Sequence, residues 1–514
     1  MRLFRQVLLA LLMPAVCVGM PEPRIALELP PGAGNPRNSE GDFAVLKDGS
    51  ILFVYTHYTQ GTGGDHDPAH LCSRISRDGG QTWSANDELV IENDGGMNVM
   101  SVSLLRLKDG ALAVFYLLKN SEADCRPVMR VSRDEGRTWS AAVKCVPDSE
   151  TNYYVLNNCR ATRLACGRIV LPMCIHSPKR GNVEADWYGT LVCWFSDDDG
   201  RTWRRGSEPF ATFDAAGNRV TTQEPGVIPL TDGRVLMYVR TDHGRQWFYY
   251  SSDGCETWSA GRPSPLMAPC GPATLKRLSS GDILAVWNDL SDHPELAGRD
   301  GKWGTRVPMS SAISRDDGRT WIHRRTVDGR TGDWYCYFAV MEHKGNVLCG
   351  YCAKDGLKHS RITSVPVSWL YGEDRKSKPS CFTRIKEGAF YGLSTEQGTW
   401  SAQPESAEIC SWARGKGVKI LGGENRTVYL QLPIGTRLAD LGLFVERFSS
   451  AGAYDFRIEG QTADGTWHGL FAQGADTGVG RLVAVKPKLP CGEVQTLRFT
   501  CTSSGGVLIT DVEG

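Results

Sequence analysis

Along the first 370 residues one rhythm of apolar and polar positions returns six times: a short apolar stretch, a turn carrying Gly, then a run of apolar or alternating residues. The copies open at Leu46, Leu107, Leu164, Leu230, Leu278 and Glu342, with turn glycines at Gly49, Gly110, Gly167, Gly233, Gly281 and Gly345. Alternation sends every second side chain to one face and Gly supplies positive φ, so each copy predicts a β-hairpin. A second pattern, Ser-x-Asp-x-Gly-x-Thr-Trp, interleaves with the first at Ser76 to Trp83, Ser132 to Trp139, Ser196 to Trp203 and Ser314 to Trp321. A degraded fifth copy runs from Ser251 to Trp258, with Cys255 where the second Gly stands elsewhere. An Asp that accepts from backbone N–H groups ahead of it, a Gly at positive φ and a Thr-Trp opening the return strand describe scaffold turns rather than chemistry.

A hairpin followed by such a turn supplies about four strands per unit, the blade of a propeller. The expected fold is therefore all-β, with a six-bladed β-propeller over residues 21–372. Five boxes for six hairpins predict that the last blade is completed by a strand from near the mature N-terminus. Residues 373–380 are polar and strand-poor and read as a linker. From 381 to 514 the repeats stop, and short alternating segments separated by turn residues predict a β-sandwich, which could bind carbohydrate or serve as a packing module.

Charge and the N-terminus narrow the functional classes. The 58 Lys+Arg balance the 58 Asp+Glu, so no uniform basic field draws the chain to nucleic acid, and none is expected as a partner. Arg2 and Arg5, the apolar run Val7 to Gly19 and the break at Pro21 read as a signal peptide over residues 1–20, which predicts a secreted or periplasmic protein. That run is too short to cross a bilayer and nothing later approaches the required length, so no membrane span is expected. Lipid attachment at Cys17 stays open. Of the 17 Cys, most fall in apolar strand-like runs, which favours buried small hydrophobes over disulfides. Cys349 and Cys352 form a single CxxC without a second pair, so neither a metal nor a cofactor is expected.

In a propeller the inner strands converge on one end of a central channel, and functional residues collect there. That criterion selects Arg37, Glu40 and Asp42 before the first hairpin, and Asp65 and Asp67 in the Gly-rich loop after it. It also selects Arg160 before the third, Glu224 and Arg240 around the fourth, Arg306 after the fifth, and Tyr335 and Tyr337 before the sixth. Only the second repeat contributes nothing.

Five Asp boxes, six hairpins and the segment Gln223 to Arg240, with Glu, Arg, Arg and Tyr following in order, resemble the sialidase (neuraminidase) superfamily over roughly residues 25 to 370. The resemblance implies an exo-acting glycoside hydrolase in which a Tyr, activated by a Glu, attacks the anomeric carbon, an Asp acts as acid and base, and three Arg hold the substrate carboxylate. By position, Glu224 resembles the Glu, Asp65 the acid/base with Asp67 as its alternative, and Tyr337 the nucleophile with Tyr335 as its alternative. Arg240 and Arg306 resemble two of the three arginines. The expected partner is a glycan ending in an acidic sugar.

One departure stands out. The superfamily opens its first blade with Arg-Ile-Pro, where this chain has Ser39-Glu40-Gly41-Asp42. Either Arg37 substitutes from a displaced position, or the pocket takes a different sugar and uses Glu40 and Asp42 on its hydroxyls; the second is preferred. Arg160 and His176 could add polar contacts. Two other functions remain: a glycan-binding propeller without turnover, and an exo-glycosidase or lyase acting on uronates.

Overall fold

The computed structural model describes residues 21–177, 186–214, 216–291, 304–330 and 333–372, and backbone strands between 399 and 513. The segment read as a signal peptide, Cys17 and residues 373–380, read as a linker, lie outside the described residues. All six predicted hairpins form. Strand β1 is Arg24–Leu29, and the first sheet is β2 (Asn38–Val45), β3 (Ile51–Tyr58), β4 (Ala69–Ser76) and β5 (Glu88–Ile91), paired in that order. The second unit is β6 (Asn98–Arg106), β7 (Leu112–Ser121), β8 (Asp124–Ser132) and the short β9 (Val143–Lys144). The third comprises β10 (Tyr153–Val155), β11 (Thr162–Arg163), β12 (Ile169–Ser177), β13 (Asp186–Ser196) and β14 (Arg204–Arg205).

After a small ribbon of β15 (Thr212–Phe213) and β16 (Arg219–Val220), the fourth sheet is β17 (Thr222–Pro229), β18 (Val235–Thr241), β19 (Arg245–Ser251) and β20 (Arg262–Met267). The fifth is β21 (Thr274–Arg277), β22 (Ile283–Trp287), β23 (Met309–Ser314) and β24 (Ile322–Asp328). In the sixth, β25 (Cys336–His343), β26 (Asn346–Ala353) and β27 (His359–Pro366) are joined by β1, from Arg24 opposite Ser364 to Leu29 opposite Ser360. The N-terminal strand thus completes the last sheet, as five boxes for six hairpins require.

The second and third units depart from the expectation of separate blades. Tyr153 of β10 pairs in parallel with Cys125 of β8, which fuses them into one nine-stranded sheet. Among the described residues no sheet closes on itself. Between Thr399 and Glu513, ten more strands form two five-stranded sheets.

Apolar layers lie between successive units. Leu52 and Val54 meet Val102 and Tyr116 between the first and second, and Phe53, Tyr55 and Cys72 meet Ala339, Leu348 and Ile362 between the first and sixth. Adjacent residues of β3 therefore feed opposite layers, the consequence of a period of two. At each Asp box the Asp accepts from the Thr backbone N–H and the Thr hydroxyl, as Asp134 does at 2.9 and 2.6 Å, while the Ser hydroxyl accepts from the Gly N–H. The degraded copy folds the same way, with Cys255 donating to Ser251 from φ 75°. The twelve described cysteines are free thiols, ten of them buried.

Candidate active site

Four inner strands carry the same irregularity. β2, β6, β17 and β25 each shift register by a bulge, between Ser39 and Asp42, Met100 and Ser103, Gln223 and Gly226, and Cys336 and Ala339. Inside each bulge one residue other than Gly takes positive φ: Glu40 at 38°, Ser101 at 62°, Glu224 at 50° and Tyr337 at 61°. A bulge re-aims a side chain, and a strained φ persists only where packing enforces it. Glycine beside the bulge allows the close approach: a Cβ at Gly41 would lie 2.5 Å from the Phe53 ring, and one at Gly226 would lie 2.3 Å from that of Tyr238.

The re-aimed side chains share one region. Ser101 Oγ donates to Glu40 Oε2 at 3.1 Å. Burial pushes the Glu40 carboxyl up to about 7, with Asp65 and Glu224 adding repulsion and Arg37 opposing it. Burial also raises the half-buried Tyr337 phenol, on which Glu224 is the leading charge and Glu40 and Arg306 act as well. Arg240 donates to Glu224 Oε2 at 2.7 Å, both side chains being buried. Its Nε reaches Cys270 Sγ at 3.4 Å, and Arg306 donates to the Cys270 carbonyl and to Cys336 Sγ, both at 3.0 Å, so the two guanidiniums flank one residue. Asn158 donates to the carbonyls of Gly41 and Tyr337, tying β2 to β25.

Arg37 is buried beside the exposed side chain of Asp65. It donates to Asp65 Oδ1 at 2.6 Å, to the Gly63 carbonyl and to Ser39 Oγ, and its guanidinium lies over the Tyr58 ring. Desolvation raises the Asp65 carboxyl, but Arg37, with help from Lys119, brings it below its ordinary value.

Several expected residues lie elsewhere. Asp42 does not face a ligand: its oxygens accept from the backbone N–H groups of Phe43 and Leu104, bracing β2 against β6. Asp67 caps its own loop, accepting from Thr62 N and Gly64 N. Arg160 is fully buried and ends on the Ala273 carbonyl and Thr274 Oγ1, an internal strut from the third unit to the fifth. Tyr335 does not share a face with Tyr337, because the bulge begins between them. Its hydroxyl donates to Asp328 at 2.8 Å in a buried network with Tyr351 and Arg361. His176 stacks on Tyr153, and burial lowers it to about 4.

The second repeat does contribute. Besides Ser101, it supplies Asn98 and Lys119, both buried and both donating to the Asp65 carbonyl, Lys119 at 2.6 Å. They are polar positions in strands that carry other polar residues as well, and the partners that give them a role lie far along the chain.

The BNR repeat-like domain family matches residues 73–351. A solved structure of a protein of unknown function from Dyadobacter fermentans is 18% identical, covers 67% of this chain and 100% of its own, and has a TM-score of 0.51. The sialidase of Trypanosoma rangeli, in complex with 2,3-difluoro-KDN, is 13% identical over 93% of this chain and 92% of its own, at 0.50. A Hadza microbial sialidase is 17% identical over 65% and 66%, also at 0.50. No curated protein sequence matches. At these identities the likeness to solved structures concerns the fold.

Proposed function

Because the chain belongs to the BNR repeat-like domain family and has a sialidase-like fold, we propose that its six hairpin-based units form a six-bladed propeller around a pocket that hydrolyses the bond to a terminal acidic sugar. The protein acts as an exported exo-glycosidase. The observation that carries this reading is Glu224, which pairs with buried Arg240 and is the leading charge on the Tyr337 phenol.

A carboxylate beside a phenol can accept its proton while the phenol oxygen attacks the anomeric carbon and the glycosidic C–O bond breaks. A neutral Tyr suits a reacting carbon that already carries a carboxylate, since it brings no charge to repel it. Arg240 and Arg306 supply the planar donors that fix that carboxylate. Asp65, at the rim, is the proton donor to the leaving oxygen. Substrate that draws Arg37 toward its own carboxylate loosens the Arg37–Asp65 pair and raises Asp65 toward the range a general acid needs. Water then releases the sugar from Tyr337, with net retention.

Glu40, where the superfamily has an arginine, is compatible with an acidic substrate because its carboxyl stays protonated up to about pH 7. As a neutral acid it donates a hydrogen bond to a sugar oxygen. The same substitution favours the second reading, a glycan-binding pocket without turnover. Incubating the mature protein with sialyl, ketodeoxynonulosonyl and uronyl glycosides and identifying any released monosaccharide separates the two. Release of an intact acidic sugar supports hydrolysis; an unsaturated product indicates a lyase; binding without release, unchanged in Glu224→Gln, indicates a binding module.

A further inference from the structure

The face of β3 and β4 opposite Tyr58 and Arg37 carries donors that the proposed reaction does not use. His57 and His70 are direct cross-strand partners, and Cys72 follows on the same face of β4, opposite Tyr55. Folding brings one donor atom of each within 4.8 Å of the other two. Cys72 is a free, buried thiol. The His57 side chain is 13% exposed, so the group sits at an edge of the core that solvent reaches.

A second observation concerns what holds His57. With its amide oriented to satisfy its neighbours, Asn35 donates to the carbonyls of Arg37 and Tyr58, and its oxygen accepts from His57 Nδ1 at 3.3 Å. Asp87 Oδ2 lies 3.5 Å from the same nitrogen. Two acceptors at Nδ1 place the ring proton there and leave the lone pair on Nε2, as outer partners do for metal-ligating histidines. Asp87 is itself anchored, accepting from Arg74 Nε at 2.6 Å and from the Tyr55 hydroxyl.

We infer that His57, His70 and Cys72 form a binding site for a borderline-soft divalent cation, and that zinc is the ion it takes. Two imidazoles and a thiolate suit zinc better than calcium or magnesium, which seek oxygen ligands. On binding, the Cys72 S–H releases its proton to solvent and the sulfur ligates as thiolate. The imidazole rings are stacked, 4.8 Å between centroids and 6° between planes. Drawing the donors to the roughly 3.5 Å separation of a tetrahedral site needs the rings to tilt about χ2, which is a soft torsion. Water completes the coordination. The earlier expectation of no metal rested on the spacing of Cys349 and Cys352, whereas these donors come from cross-strand pairing in the first sheet. Through Asn35, the ion would stiffen the segment that presents Arg37.

The test uses the full mature protein, stripped with chelator and titrated with zinc against a chromophoric competitor, and separately with cobalt. The inference expects about one zinc per chain, a near-ultraviolet thiolate-to-cobalt band and a melting temperature raised by zinc. Cys72→Ser should remove the band, and both Cys72→Ser and His70→Ala should weaken zinc binding at least about tenfold. His70 is half-buried, so its variant serves if loss of the buried thiol prevents folding. No zinc bound at micromolar concentration, or equal binding by parent and His70→Ala, overturns the inference. Neither result bears on whether the central pocket hydrolyses a glycoside.

Discussion

Glu40→Gln tests whether a buried, protonated carboxyl occupies the place of the superfamily's first arginine. Burial lifts the Glu40 carboxyl from 4.5 to about 7, with Arg37 as the largest opposing influence. Between those values the native protein holds a proton that the unfolded chain has released, so the stability of the fold falls as pH rises through that window. At ~1.4 kcal/mol per pH unit, a shift of roughly 2.5 units costs about 3 kcal/mol by pH 8. Gln keeps the shape and still accepts the Ser101 hydroxyl at Oε1, but has no charge to bury. The variant should match the parent near pH 4.5 and exceed it by about 2–3 kcal/mol at pH 8. Guanidinium unfolding of parent and variant across pH 4.5 to 8 measures this directly. The same titration should appear as an alkaline loss of substrate affinity, centred near pH 7 in the parent and flattened in the variant. Parallel stability curves, or a variant less stable than the parent at pH 8, would refute a protonated Glu40.

Three further outcomes follow from the geometry. Tyr337→Phe should cut kcat by roughly three orders of magnitude or more, whereas Tyr335→Phe should leave turnover intact and cost about 1–3 kcal/mol of stability by removing a donor from buried Asp328; steady-state kinetics and thermal melting distinguish them. Arg37→Met should let the Asp65 carboxyl titrate at higher pH, seen by carboxyl NMR, and move the alkaline limb of the kcat/KM profile upward. Arg160→Met should destabilise the protein by about 2–3 kcal/mol, through loss of its bonds to Ala273 and Thr274, without changing KM.

The strand framework was legible because its causes are local. Alternation, turn glycines and the Ser-x-Asp-x-Gly-x-Thr-Trp turns each act within a few residues, and even Cys255 in place of Gly did not hide its turn. The candidate site was only half legible. Order along the chain singles out Glu224, Tyr337, Arg240 and Arg306, which the fold brings near one another, but simple alternation would put Tyr335 and Tyr337 on one face. The bulge between Cys336 and Ala339 breaks that period. The same device in β2 turns Glu40 toward Ser101 and leaves Asp42 bracing Leu104, a separation that alternation alone cannot show. Ser101, Asn98 and Lys119 were missed because the second hairpin bears no residue matching the superfamily's motif. Their roles arise from partners far away in the chain: Glu40 for Ser101, the Asp65 carbonyl for the other two. The fused second and third units depend on the parallel pairing of Tyr153 with Cys125, which leaves no mark in the hydrophobic pattern.

The most direct measurement is intact-protein mass and peptide mapping after incubation with 2,3-difluoro derivatives of acidic sugars, which slow release of a glycosyl intermediate. A tyrosyl mechanism predicts a covalent adduct of one sugar on Tyr337, absent in Tyr337→Phe and formed more slowly in Glu224→Gln. An adduct on another residue, or hydrolysis of the parent glycoside with full activity in Tyr337→Phe, would contradict it.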